Sequence, residues 1–146
     1  MANPSLKIAG IELSVVAHLT FDQRLEAFGG STVRRMANGA AFKIVHWRKY
    51  RISLSASGWV PPALNAINYD APFEVELPMA IALNAGEALP SGFSARIAPN
   101  AETTVTDQAG KSARFVWVKA TVVGEPPSQS NGSSVSPSWE MVLETA

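Results

Sequence analysis

The densest group of side chains able to do chemistry lies between Arg34 and Arg51: Arg34, Arg35, Lys43, His46, Arg48, Lys49 and Arg51, with Trp47 and Tyr50 interleaved. On a β-ribbon these cations would contact phosphates while the two rings stack on bases. The whole chain weighs against that use. Its 12 Lys+Arg are balanced by 12 Asp+Glu, whereas nucleic-acid domains usually carry a net positive balance. The favoured reading is an exposed hairpin face whose cations meet acidic patches such as Glu74 and Glu76, in this subunit or the next.

Other reactive groups are sparse. His18 and His46 are the only histidines and sit in no HxH, HExxH or carboxylate spacing, which argues against a metal site. The chain has no cysteine, which excludes thiolate catalysis, zinc-thiolate sites and disulfides. Serines are plentiful, but no GxSxG elbow is present to expose a nucleophile. Asp70, Glu74 and Glu76 are the carboxylates a glycosidase would need as a pair, yet Glu74 and Glu76 alternate on a strand and should face water. No GxGxxG or GxxxxGK[ST] run offers a phosphate cradle, and Gly29-Gly30 is better explained as a turn. The expectation is a protein that is not an enzyme and uses no cofactor.

Surface recognition fits these residues better. Of the four tryptophans, Trp47, Trp59, Trp117 and Trp139, most should lie in the core, where each ring buries a large area and seeks one N–H partner. Trp47 beside Arg48 is the first candidate for an exposed anchor, because aromatic and Arg side chains are enriched at interfaces. The candidate interface residues are Arg34, Arg35, Trp47, Arg48, Lys49, Trp59, Pro61 and Pro62.

Strands must carry these groups. Asn38-Gly39 lies between two extensible runs and predicts a hairpin with a two-residue type I′ turn. Tyr50, Ile52, Leu54 and Ala56 then alternate with Arg51, Ser53, Ser55 and Ser57 in a half-buried strand, which Gly58 and Pro61-Pro62 stop. Upstream, Leu6 and Ile8, then Ile11, Leu13 and Val15, bracket Gly10, giving two short strands around a turn or one strand bulged at the glycine. TFDQRLEAFGG is read as strand or loop in preference to a helical turn ended by Gly29-Gly30. Downstream, PPALNAINYDAP reads as an ordered loop with one turn of helix near Leu64 to Ile67, and Phe73, Val75 and Leu77 form another half-buried strand.

Further strands are expected through Ile81 and Leu83, and at Phe93 to Ile97 and Glu102 to Thr106, separated by Pro99-Asn100, with a turn at Asp107 to Gly110. Phe115 to Val123 is apolar on both faces and is read as one strand in the centre of a sheet or against another subunit. Residues 125–138, EPPSQSNGSSVSPS, have the composition of a flexible loop, but Trp139, Met141 and Leu143 resume alternation, so the loop joins two strands as a long hairpin arm. The result is an all-β chain: residues 1–146 as a single antiparallel sandwich or barrel with a Ser/Pro-rich arm.

A chain of this length can bury a core without staples. Its 16% charged and 47% hydrophobic content at zero formal charge leaves little repulsion between copies, which suits life in an assembly. No apolar run approaches a bilayer span, and Pro4, Glu12 and the absence of a small-residue cleavage site weaken a signal-peptide reading; a cytoplasmically made protein is expected.

Gly29-Gly30, Arg35-Met36-Ala37-Asn38-Gly39, Trp47-Arg48-Lys49 and Gly58-Trp59-Val60-Pro61 occur in an order that resembles a small group of tailed-bacteriophage structural proteins, over roughly residues 29–78. The resemblance implies a virion component of the tail, baseplate or neck, assembled in the host cytoplasm. It implies partners among copies of the chain, arranged as a ring, and other phage structural proteins, with no membrane and no catalytic residues to carry over. A head-tail connector or capsid decoration protein is the alternative within this class. A nucleic-acid-binding β domain is the reading outside it.

Overall fold

The computed structural model describes residues 5–13, 20–58, 62–96, 102–132 and 135–146. The fold is all-β and antiparallel, with a nine-stranded main sheet, a three-stranded sheet and a two-stranded ribbon. The main sheet is not closed into a barrel, which removes that alternative.

Strand β1 (Leu6–Ile8) pairs β2 (Ile11–Leu13) across Ala9-Gly10. Both turn residues have positive φ, 53° and 81°, the signature of a type I′ connection. The two-strand reading of this segment therefore holds. Strand β3 (Thr20–Phe28) is a strand throughout, because its ladder to β6 (Lys49–Ser57) runs unbroken from Thr20↔Ser57 to Phe28↔Lys49. Between them in sequence lie β4 (Ser31–Arg35) and β5 (Ala41–Val45), which form the separate ribbon.

A short 3-10 helix, Pro62–Ala66, bears out the turn of helix expected near Leu64. Tyr69 Oη donates to Leu64 O at 2.7 Å, and its ring meets Phe73 edge-on with centroids 5.7 Å apart. The hydrogen bond closes the loop on itself, and the ring contact ties it to β7 (Phe73–Glu76). Then follow β8 (Ile81–Asn84), β9 (Phe93–Ala95) and β10 (Glu102–Thr106). Val15 and Ile97, the expected ends of two strands, and Pro99-Asn100, the expected break before β10, lie outside the described residues. The Asp107 to Gly110 turn is present: Asp107 N donates to Lys111 O, and Asp107 Oδ1 accepts from Ala109 N and Lys111 N.

One expectation fails at Trp117. The apolar run Phe115 to Val123 is divided between β11 (Ser112–Val116), in the three-stranded sheet β10-β11-β8, and β12 (Val118–Gly124), in the main sheet. Val116, Trp117 and Val118 are all buried, and the Trp117 indole N–H donates to Pro78 O at 3.1 Å. Burial of consecutive residues made the run look uniformly apolar; it marks the crossing between sheets.

From Ser128 to Gly132 and again from Val135, the serine-rich stretch is strand where its composition suggests an open loop. Strand β13 (Ser128–Gly132) pairs β14 (Val135–Thr145), which also pairs β6 from Ser138↔Ser57 to Glu144↔Arg51. Ladder hydrogen bonds come from the backbone, so poor apolar content does not prevent pairing. The long hairpin arm is therefore a continuation of the sheet.

The full main sheet runs β2-β1-β7-β12-β14-β6-β3, with β13 on β14 and β9 on β12. Its inner face contributes Ile52, Leu54, Val75, Val118, Val122, Met141 and Leu143, with Leu64 and Ile67 from the helical loop completing the core. Each fully buried Leu, Ile, Val or Met is worth roughly 1.5–3 kcal/mol of transfer free energy. Arg96 is buried in this body at 1% exposure; its Nη1 donates to Ser5 O at 2.8 Å and Leu77 O at 3.0 Å. Its Nε lies 3.6 Å from Glu76 Oε1, an ion-pair distance too long for a hydrogen bond.

Candidate functional site

The ribbon β4–β5 stands apart from the body. Its strands pack on each other and, among the described residues, make no substantial contact with any other element. Every residue from Ser31 to Lys49 is exposed. At about 3.3 Å per residue, five-residue strands reach roughly 17 Å before the turn.

The turn differs from the type I′ expected at Asn38-Gly39. Met36 N donates to Ala40 O, Gly39 N donates to Met36 O, and only Gly39 has positive φ, at 86°. Ala37, Asn38 and Gly39 thus form the loop, in the pattern of a turn closed by a left-handed glycine. Asn38 serves through its side chain instead: Oδ1 accepts from Ala40 N at 3.0 Å. Arg35 Nη1 donates to Gly39 O at 3.2 Å and braces the same loop.

Antiparallel partners share a face. Val33↔Lys43, Arg35↔Ala41 and Ser31↔Val45 define one face, and Arg34↔Phe42 and Thr32↔Ile44 the other. Both faces mix cations with exposed apolar groups: Val33 is 61% exposed, Val45 48% and Phe42 45%. A two-stranded ribbon with no covered face gains little from burial and is marginal in water by itself.

The ribbon joins the body through a bulge. Between Phe28↔Lys49 and Ser31↔Val45, Gly29 and Gly30 oppose His46, Trp47 and Arg48, so the returning side carries an extra residue. Such an insertion bends and twists the ribbon and re-aims what lies beyond it. His46 N donates to Gly30 O at 2.8 Å, and Trp47 meets Phe28 edge-on at 5.6 Å between centroids. Arg51 lies over the other ring partner, with its guanidinium carbon 4.8 Å from the Phe28 centroid. Gly29-Gly30 is therefore a seat for Trp47 where the sequence suggested a turn.

The interface candidates divide accordingly. Arg34, Arg35, Trp47 and Arg48 are gathered on the ribbon and its bulge, whereas Lys49 begins β6 and donates through Nζ to the main-chain oxygen of Ala146 at 2.7 Å. Pro62 is exposed at the start of the 3-10 helix, apart from the ribbon in sequence and element. Trp59 and Pro61 lie outside the described residues, as does His18. Trp47 is half exposed while Trp117 and Trp139 are buried.

Among the described residues, no ion pair joins the ribbon's cations to Glu74 or Glu76; Glu76 is engaged by Arg96. No group of His, Asp and Glu among them is arranged to hold a metal. The serine-lined groove of ≈ 330 Å³ between Asp22, Ser55, Ser128 and Ser138 contains no histidine. A larger groove of ≈ 670 Å³, bordered by Asp70, Glu125, Glu140 and Glu144, went unnoticed in the sequence because its carboxylates come from distant segments. No helix among the described residues is long and apolar enough to cross a membrane.

Comparison with protein-family models, with curated proteins and with solved structures finds no match.

Proposed function

We propose that this chain is a non-enzymatic structural protein of a tailed-bacteriophage virion, a component of the tail or baseplate that assembles with copies of itself and with neighbouring tail proteins. The observation that carries the assembly reading is the exposed ribbon β4–β5, which presents apolar and cationic side chains on both faces and has no covering element among the described residues. A partner surface would supply the burial that the ribbon lacks. The virion assignment rests on the resemblance over residues 29–78, and with it come assembly in the host cytoplasm and residence in the particle. No cofactor is needed for this role.

Negative-stain microscopy of mature particles carrying an antibody to this chain tests the assignment. Label at the distal tail supports the baseplate position. Label at the head or neck replaces it with a connector or decoration protein, and unlabelled particles reject the virion reading.

A second reading has its own observation. The ribbon's cations lack carboxylate partners among the described residues, and Trp47 is half exposed beside Arg48. On that reading the ribbon grips a nucleic-acid backbone. It requires DNA affinity that falls steeply with salt and is lost in Arg48→Glu.

A further inference from the structure

The ribbon and the large groove have opposite charge. Arg34, Arg35, Lys43, Arg48 and Lys49 are five of the chain's 12 Lys+Arg, while residues 29–49 contain none of its 12 Asp+Glu. The rest of the molecule therefore carries an excess of acid equal to the excess of base in residues 29–49, the ribbon with its bulge and the first residue of β6. That excess has a local focus. Along β14, Glu140, Val142 and Glu144 alternate with buried Met141 and Leu143, and so line the outer face of the sheet. Val123 on β12 pairs with Glu144, and Asp70 and Glu125 close the groove. Glu144 is engaged by Arg51 at 3.2 Å, but no ion pair among the described residues uses Asp70, Glu125 or Glu140.

The groove also has an apolar floor. Val123 is 39% and Val142 42% exposed, so the groove alternates carboxylate and valine. The ribbon face of Val33, Arg35, Lys43 and Val45 alternates cation and valine with the same strand repeat, about 6.6–6.8 Å between residues on one face.

We propose that the ribbon of one copy docks in the Asp70–Glu140 groove of a second copy, through the face of Val33, Arg35, Lys43 and Val45. Complementary potentials select and orient the pair, and the valines of the two surfaces are removed from water together. Ribbon and groove are different surfaces, so the contact is head-to-tail: each copy offers a ribbon to one neighbour and a groove to another. Repetition gives a ring where the rotation closes and a filament where it does not. This inference names the partner surface for the assembly reading above and rests on it; it does not depend on where in a particle the chain resides.

Sedimentation velocity of the full chain at increasing NaCl tests it. Self-association should weaken with salt, and Arg35→Glu/Lys43→Glu or Glu125→Lys/Glu140→Lys should each weaken it roughly tenfold or more. Mixing these two charge-reversed variants should restore association, since each then presents what the other requires. A misfolded variant could not be rescued in that way, and matching circular dichroism provides a separate check on folding. A wild-type chain that stays monomeric, variants that associate like wild type, or a mixture that stays apart would each overturn the proposal. Antibody labelling of particles separates the two ideas: a monomer found in particles removes the ribbon–groove contact and leaves the virion reading, whereas a self-assembling chain absent from particles does the reverse.

Discussion

Gly30 lies directly beneath the indole of Trp47: a Cβ built on Gly30 would overlap the ring nitrogen and stand 2.9 Å from Cδ1. Neighbouring Gly29 is restricted in the same way by the Trp47 main-chain oxygen. Both glycines are required by close approach, which fixes the angle at which the ribbon leaves the body.

Gly30→Ala should therefore displace Trp47 and cost about 1–3 kcal/mol of stability through overpacking. Self-association should fall with it, because the ribbon leaves at a different angle. Urea unfolding and sedimentation on the same variant check both effects; an unchanged midpoint would mean that the indole moves aside freely.

The opposite result is expected at the β1–β2 turn. Ala9 adopts φ 53° beside Gly10 at 81°, and an L-residue with a Cβ is disfavoured there. Ala9→Asn, which supplies the residue preferred in this turn, should raise stability by about 0.5–1 kcal/mol. Chemical denaturation with an unchanged m-value is the measurement.

Arg96 joins segments that are far apart in sequence, reaching Ser5 O, Leu77 O and Glu76 while its own N–H donates to Trp117 O at 2.8 Å. Arg96→Ala removes the guanidinium, orphans two carbonyls and leaves Glu76 without its cation, a loss of about 3–5 kcal/mol. Arg96→Met, which refills the volume, should cost less. Thermal unfolding of the two variants side by side distinguishes the polar loss from the cavity.

Burial raises the Tyr69 hydroxyl above its ordinary pKa of 10.0. The neutral form donates to Leu64 O, so its contribution is complete below the unfolded-state pKa and disappears as pH rises through the folded value. Stability should drop on the alkaline side of pH 10, and Tyr69→Phe should remove that dependence at a cost of roughly 1 kcal/mol at neutral pH. Urea midpoints measured across the alkaline range provide the check.

Hydrogen exchange should find the ribbon amides of 31–45 the least protected of the described strands in the free chain, because the ladder there has solvent on both faces. Assembly should slow their exchange. Equal protection before and after assembly would place the contact elsewhere.

Much of this architecture is written locally. Period-two alternation in β6, β7 and β14 identified strands with one buried face, because successive side chains leave a strand on opposite sides. Asn38-Gly39 located the hairpin, although the dihedral pattern of the turn depended on the register of β4 against β5. Residues 125–138 look like a loop by side-chain composition, yet strand pairing there depends on the backbone of β14.

Other features depend on contacts between distant segments. Trp117 lies inside an unbroken apolar run, and only the separate partners of β11 and β12 reveal the crossing. Gly29-Gly30 read locally as a turn because the ring that demands their lack of Cβ arrives from beyond β5. Arg96 carries no sequence signal, since its carbonyl partners are supplied by the fold. By itself the sequence determined an all-β chain, the basic hairpin and the alternation of its strands, all set by neighbours along the backbone. Tertiary structure alone decided that the hairpin stands free of the body and that Asp70, Glu125 and Glu140 share one groove, because exposure and charge proximity depend on which distant strands lie side by side.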